Sequence, residues 1–152
     1  MPTITQIATF LESFAPLRLA EDWDNVGLLV GRRDGNANRV MTCLTVTPDS
    51  VAEAIERQAD LIVTHHPLPF KPLKKLTTDS VPGQMLLDLV QAGIGIYSPH
   101  TAFDSAAAGI NQQLAKSLGL EEIVPLVPAI DDPEGLGSGR YGRLDQAESF
   151  SG

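Results

Sequence analysis

Apolar positions in roughly the first 130 residues switch between a helical and a strand-like spacing. Near the N-terminus they recur every three or four residues from Ile4 to Phe14, which predicts an amphipathic helix. Thr3 and Gln6 stand at the spacing of a capping box and mark the start of that helix. The stretch 21–31 passes from a polar loop to an apolar strand, and short apolar runs predict three buried strands, at residues 40–46, 60–64 and 94–97.

Helix signals separate these strands. Thr47 can cap a helix that has Pro48 at its first position, and a second helix is expected over about 83–91 with Gly93 as its stop. Strand–helix–strand units of this length usually pair their strands in parallel, with a right-handed crossover. The pattern therefore predicts an α/β fold, a layered sheet with helices on its faces, extended by a helix at 106–118 and a strand at 123–127.

The last twenty or so residues change in character. We expect one α/β domain over residues 1–130 and a flexible tail rich in glycine and acidic residues over 131–152. The segment 137–142 within this tail matches G-x-G-x-x-G, but a dinucleotide fingerprint needs a strand before it and a helix after it. Neither is predicted there, so the match is rejected.

Charge and cysteine content limit the partners and the cellular compartment that we expect for this protein. A formal net charge of −8 argues against binding along a nucleic-acid backbone, and the small basic group of Lys71, Lys74 and Lys75 is most simply a solvated face. One cysteine, Cys43, excludes an intrachain disulfide and is consistent with a reducing, cytoplasmic location. No apolar run approaches the ~20 residues that a membrane span requires, and no secretory signal is evident.

The three histidines carry the candidate chemistry. His65 and His66 end the run at 60–64, and His100 follows the run at 94–97, with Asp104 four residues later. Open α/β sheets place ligands at the carboxyl ends of their strands, and imidazole plus carboxylate suits Zn, Fe, Mn, Co or Ni ions. We predict His65, His66 and Asp104 as metal ligands.

His100 is the candidate catalytic residue, because its ordinary pKa range suits proton transfer near neutrality. It can equally be a ligand, a support for a ligand, or structural. The alternative to a metal-binding role for the tandem pair is that one histidine is structural and the other lies on the surface. Asp24 and Asn25 shape a turn or line the same crevice, and Thr45 and Thr47 are possible substrate contacts to which the sequence assigns no role.

Four segments in chain order, 23–28, 60–67, 97–104 and 109–115, resemble the dinuclear-metal-centre family known as GTP cyclohydrolase 1 type 2 homologues. The resemblance implies a fold of two similar halves and a hexameric, ring-like assembly. It also implies two metal ions held by the residues matching His65, His66 and Asp104, with a further histidine and glutamate from a C-terminal half. This chain resembles the N-terminal half alone, so its dinuclear site is expected to be incomplete.

Two functions are consistent with these residues. The first is a divalent-metal-binding protein that acts as a metal-dependent hydrolase, on a small-molecule substrate that nothing in these residues identifies. The second is a non-catalytic metal-binding or scaffolding oligomer. In either case a homo-oligomer without a membrane or nucleic-acid partner is expected. A purely structural α/β domain is the third interpretation.

Overall fold

A four-stranded sheet forms the centre of the computed structural model, which describes residues 1–129 and 136–145. Its spatial order is β1-β4-β3-β2. β2, β3 and β4 run parallel, whereas β1 is antiparallel to β4, so the carboxyl ends of three strands share one edge. The four strands are β1 Gly27–Val30, β2 Val40–Cys43, β3 Leu61–Thr64 and β4 Gly95–Ser98. The predicted α/β fold with parallel β-α-β units is confirmed.

Local signals explain where the helices begin and end. Thr3 caps the first helix through a capping box with Gln6, as predicted, and Thr47 caps the second with Pro48 in its first turn. Gly93 ends the third helix in the left-handed conformation, with φ of 74°. The helices are α1 Ile4–Phe14, a short 3-10 turn Leu17–Leu19, α2 Pro48–Glu56, α3 Val81–Ala92, α4 His100–Ser105 and α5 Ile110–Ser117.

Each face of the sheet is covered by helices because side chains alternate along the strands. Ile62 and Ile96 join the core beneath α2 and α3, where Leu89 is fully buried. Their strand neighbours Leu61 and Tyr97 point the other way and pack with α1. This three-layer arrangement fixes the edge at which β3 and β4 end.

The predicted helix at 106–118 is wrong at its start. α4 begins earlier, at His100, and the chain breaks between α4 and α5 at Gly109, where a Cβ would lie 1.8 Å from the carbonyl oxygen of Phe103. His100 is therefore the first residue of a helix two residues beyond β4, and not the end of a strand. The start of α4 is held by a distant carboxylate, Asp24, which accepts from the Thr101 N–H.

Part of the segment interpreted as a flexible tail is paired with the domain. β8 lies antiparallel to β5, and the short β7 lies antiparallel to β6. The strands are β5 Leu120–Val124, in place of the predicted 123–127, β6 Val127–Pro128, β7 Gly137–Ser138 and β8 Tyr141–Leu144. Residues 131–135 and 146–152 of the predicted tail lie outside the described residues. The boundary at residue 130 stays a prediction.

Arg140 fastens these C-terminal strands. Its guanidinium donates to the Gln112 side chain and to the backbone oxygens of Ala106, Gly137 and Gly139. Burial lowers the pKa of Arg140. The G-x-G-x-x-G match thus lies across two strands and their turn. Within the described residues, none of the helices has the length and apolar character to cross a bilayer.

Candidate metal centre

The tandem histidines directly follow β3, at the carboxyl end of that strand. The N–H of His65 donates to Cys43 O and the N–H of His66 donates to Leu44 O, so the pairing with β2 continues beyond Thr64. The hydroxyl of Ser98, the last residue of β4, donates to His65 O at 2.7 Å. The sheet itself therefore fixes the backbone from which both imidazoles project.

Three imidazoles converge at this edge of the sheet. A ligand nitrogen from each of His65, His66 and His100 lies within 4.8 Å of the other two. The ring centroid of His65 is 5.0 Å from that of His66 and 5.2 Å from that of His100. These are all the histidines of the sequence, so the whole histidine content of the chain meets in one place.

Asp104 completes the group from the next turn of α4. It lies four residues after His100, which places both side chains on one face of the helix. Asp104 Oδ1 is 3.7 Å from His65 Nε2, and its side chain is 29% exposed. The Asn111 side chain donates to the Asp104 carbonyl oxygen at 3.1 Å, which joins α4 to α5.

A buried carboxylate holds His100 in position. His100 Nδ1 donates to Asp24 Oδ1 at 2.8 Å, and the Asp24 side chain is fully buried. The other oxygen, Oδ2, accepts from the N–H and the hydroxyl of Thr101. His100 has a φ of 29°, a conformation that costs about 1–3 kcal/mol outside glycine and persists only where surrounding contacts enforce it.

The ionisation of these groups follows from their surroundings. Burial by itself would raise the pKa of Asp24, but hydrogen bonds from Thr101, His100 and the Asn25 backbone outweigh it and hold the pKa below its usual value. Asp24 is therefore an ionised acceptor, so Nδ1 of His100 carries the proton of this hydrogen bond and Nε2 is left for another partner. Burial lowers the pKa of His65, against the opposing pull of the Asp104 carboxylate.

His66 has an equivalent support. The Thr45 hydroxyl is hydrogen-bonded to His66 Nδ1 at 2.6 Å, so the Nε2 atom of this ring is also left for another partner. Metal-bound histidines in proteins almost always engage their second ring nitrogen in this manner. Thr45, which the sequence suggested as a substrate contact, orients a histidine here.

The donor set fits a divalent cation. The 3.7 Å between His65 Nε2 and Asp104 Oδ1 is too long for a hydrogen bond, yet below the ~4.2 Å at which two donors can share one ion at about 2.1 Å each. The ligand nitrogens of the three imidazoles lie within 4.8 Å of one another, which is close enough for the cluster to hold a metal ion. His65 Nδ1 is also buried without a hydrogen-bond partner among the described residues.

The structure brings together all four residues that the sequence selected. It differs in adding His100 to the imidazole cluster itself and in giving Asp24 a defined role. Sequence reasoning placed Asp24 in a turn or a crevice and missed its bond to His100, because the two residues are 76 positions apart. The ligand roles of His65, His66 and Asp104, and the catalytic role of His100, remain predictions.

The fold and this cluster together define an α/β domain with a candidate metal centre at the carboxyl ends of two parallel strands. The sequence matches the family described as Duf34/NIF3 (NGG1p interacting factor 3) over residues 2–152. The chain belongs to this family, in agreement with the resemblance found in its motifs.

Similar proteins come from bacteria, archaea and animals. A Clostridium acetobutylicum protein named GTP cyclohydrolase 1 type 2 homolog is 37% identical over 143 residues, which is 94% of this chain and 53% of the relative. NIF3-like protein 1 of Drosophila melanogaster is 40% identical over 86% of this chain and 45% of its own length. The chain thus spans about half the length of the curated relatives it matches.

Solved structures show the same fold. A Bacillus cereus protein related to NIF3 superposes with a TM-score of 0.79 at 37% identity, over 85% of this chain and 36% of that one. Reduced HcgD from Methanocaldococcus jannaschii gives a TM-score of 0.77 at 33% identity, over 83% of this chain and 50% of that one.

Proposed function

We propose that this chain binds divalent metal through His65, His66 and Asp104, with His100 as the acid–base residue beside the ion. The observation that carries the proposal is the convergence of three imidazole nitrogens within 4.8 Å, next to a carboxylate 3.7 Å from one of them. The Thr45 hydroxyl engages Nδ1 of His66 and leaves its Nε2 for an ion, and Asp24 engages Nδ1 of His100 and leaves its Nε2 for proton transfer. A cluster of imidazoles and one carboxylate suits Zn, Fe, Mn, Co or Ni.

The reaction class that this site supports best is metal-dependent hydrolysis. A divalent ion supplies Lewis-acid activation of water and of the bond to be broken. His100, held by Asp24 with its proton on Nδ1, presents Nε2 to take a proton from the attacking water. The name GTP cyclohydrolase 1 type 2 homolog belongs to the relatives, and we extend to this chain only the hydrolytic class, on a small-molecule substrate.

Metal content separates the roles of these residues. Purified protein and its variants are dialysed against zinc or manganese, and bound metal is measured by elemental analysis and competition with a chelating dye. We expect loss of binding in His65→Ala, His66→Ala and Asp104→Asn, and retained binding in His100→Ala. Asp88→Asn on α3 is the matched control, since this half-buried carboxylate lies outside the imidazole cluster and accepts a hydrogen bond from the Gln84 side chain. Full metal content in Asp104→Asn would refute the ligand set, and loss in His100→Ala would make His100 a ligand.

Turnover tests the hydrolytic part. Metal-dependent release of product from GTP or a simple phosphodiester, lost in His100→Ala with metal retained, is the expected result. Because the chain spans about half of its relatives, we propose that it binds metal weakly, or at a single ion, when no other polypeptide completes the site. Tight binding of two ions by the isolated chain in calorimetric titration would contradict this.

A non-catalytic, oligomeric metal-binding protein is the second candidate, favoured by one surface of α5. Ile110, Leu114 and Leu118 lie four residues apart along this helix and its end, and they are 43%, 56% and 63% exposed. We propose that a second copy of the chain covers this stripe, in a reducing cytoplasm consistent with the free Cys43. Light scattering on wild type and Leu114→Glu tests the assembly, and a monomer in both rejects it.

A further inference from the structure

We propose that Trp23 and Phe70 form a wall beside the imidazole cluster that binds the flat aromatic ring of a small-molecule ligand. This inference rests on the proposed metal site and adds the class of ligand that the site accepts. The ligand would lay its ring against the wall and direct a metal-binding anionic group, such as a phosphate, towards the imidazoles.

Two large rings are exposed at the site. Trp23 is 62% exposed and Phe70 is 43% exposed, although aromatic side chains of this size ordinarily bury most of their surface. Their ring centroids are 6.0 Å apart at an interplanar angle of 71°. Because both rings keep these exposed fractions in their edge-to-face arrangement, part of their surface remains available to another flat group.

Both rings also contact His100. The centroid of Trp23 lies 6.3 Å from that of His100, and the centroid of Phe70 lies 6.2 Å from it. His100 in turn is 5.2 Å from His65 and 5.9 Å from His66, measured between ring centroids. The aromatic wall and the metal-donor cluster therefore share one imidazole, and a ligand of ordinary size spans both.

Hydrogen bonds hold the wall in shape. Asn25 Nδ2 donates to Pro69 O at 2.7 Å, which joins the loop of Trp23 to the loop of Phe70. The N–H of Glu21 donates to the Thr101 hydroxyl at 3.0 Å, and this ties the start of the Trp23 loop to α4. Since the rings are positioned before any ligand arrives, binding does not have to order them first.

The electrostatics select among the ligands that an aromatic wall accepts. Exposed aromatic faces bind flat rings and also organic cations. A divalent ion at the imidazoles repels a cation bound a few ångströms away, so a cationic ligand is disfavoured next to an occupied metal site. A neutral ring that carries an anionic group is attracted by both parts of the site.

A matched pair of probes isolates the ring. AMP and ribose 5-phosphate carry the same sugar phosphate, and only AMP adds a flat base. Their dissociation constants are measured by equilibrium dialysis, with zinc and without it, and Trp23 fluorescence gives a second measurement because it is the only tryptophan of the chain. We expect AMP to bind about 5- to 150-fold more tightly, the range that one stacked base contributes.

Variants connect this preference to the wall. Trp23→Leu and Phe70→Leu should reduce the AMP preference several-fold towards unity, whereas Trp23→Phe, which keeps a ring, should retain most of it. Phe10→Leu on α1 is the control, because Phe10 is 69% exposed and matches the chemical change at Phe70.

Equal affinities for the two probes, no measurable AMP binding, or a preference that survives both leucine variants would overturn the inference. A wall covered by another protein surface gives equal affinities and overturns it as well. Metal content, measured on the same samples, reports separately on the proposed metal site. Zinc bound without a ring preference rejects the wall alone, and a ring preference without bound zinc rejects the metal site alone.

Discussion

Replacement of Asp24 by asparagine tests how the site is held together. Asp24→Asn keeps the size of the side chain and removes its charge. In the structure the two carboxylate oxygens accept from four donors: the His100 ring, the N–H and the hydroxyl of Thr101, and the N–H of Asn25. An amide keeps one oxygen and turns the other position into a donor, so at least one of these bonds is replaced by two facing donors.

The expected loss follows from burial. The Asp24 side chain is 0% exposed, so water does not replace a broken bond. A hydrogen bond to a charged group contributes about 1.5–3 kcal/mol, and we expect the metal-free protein to lose a free energy of unfolding of that size. Zinc affinity should fall by less than the roughly 10- to 100-fold that follows when the direct support of a metal-bound residue is removed. Asp24 supports His100, which is not a proposed ligand, and it reaches the proposed ligand Asp104 only through the start of α4.

Two measurements follow these losses separately. Urea unfolding followed by circular dichroism gives the stability, and competition with a zinc-chelating dye gives the affinity. Asp34→Asn is the matched control, since Asp34 is 75% exposed and its ion pair with Arg32 lies in solvent. Thr101→Val should lower stability while leaving zinc affinity closer to wild type. If Asp24→Asn changes neither quantity more than Asp34→Asn does, the support role assigned to Asp24 is wrong.

One buried and two half-buried groups give further outcomes. Burial, with the charge of Glu12, raises the pKa of Tyr97 from 10.0 to about 12, so the folded state keeps a proton that the unfolded chain loses and stability declines as pH rises between these values. In urea unfolding at alkaline pH, Tyr97→Phe should abolish this decline of stability, and the control Tyr141→Phe should retain it. Near neutral pH, Tyr97→Phe should change the free energy of unfolding little, because the Tyr97 hydroxyl has no hydrogen-bond partner among the described residues. Arg140→Lys should lower the free energy of unfolding by about 1–3 kcal/mol, because lysine cannot reach all four acceptors of the Arg140 guanidinium. Arg143, whose side chain is 80% exposed, is the control, and Arg143→Lys should change stability very little. Equal effects of the two variants would contradict the role of Arg140 in holding the C-terminal strands. Because burial lowers the pKa of His65, metal-free stability should decline as pH falls below 6.5, and His65→Gln should flatten this slope.

The central sheet was predictable because its signals are local. The apolar runs that became β2, β3 and β4 are short and bounded by caps or turns, and Thr3 and Thr47 mark the starts of two of the helices. The histidines could be placed at one edge because parallel strands share their carboxyl ends.

The features that local pattern does not predict depend on distant contacts. α4 starts at His100 in an unusual backbone conformation because Asp24 binds its first residues, and no periodicity records that bond. β8 lies in a segment of low apolar content and is held by pairing with β5 and by Arg140, not by its own propensity. Propensity is a weak guide wherever tertiary contacts decide the conformation.

The bond from Ser98 to His65 joins two neighbouring strands just below the imidazoles, whose donors lie on either side of residues 67–99. An ion that bridges these donors acts as a reversible cross-link across that intervening loop and α3. Binding to the native state alone adds about 2.7 kcal/mol when free metal is at about 100 times its dissociation constant. The midpoint temperature of thermal unfolding should therefore rise with the fraction of sites that hold a metal ion. It can be measured for any metal, and it requires no knowledge of the substrate.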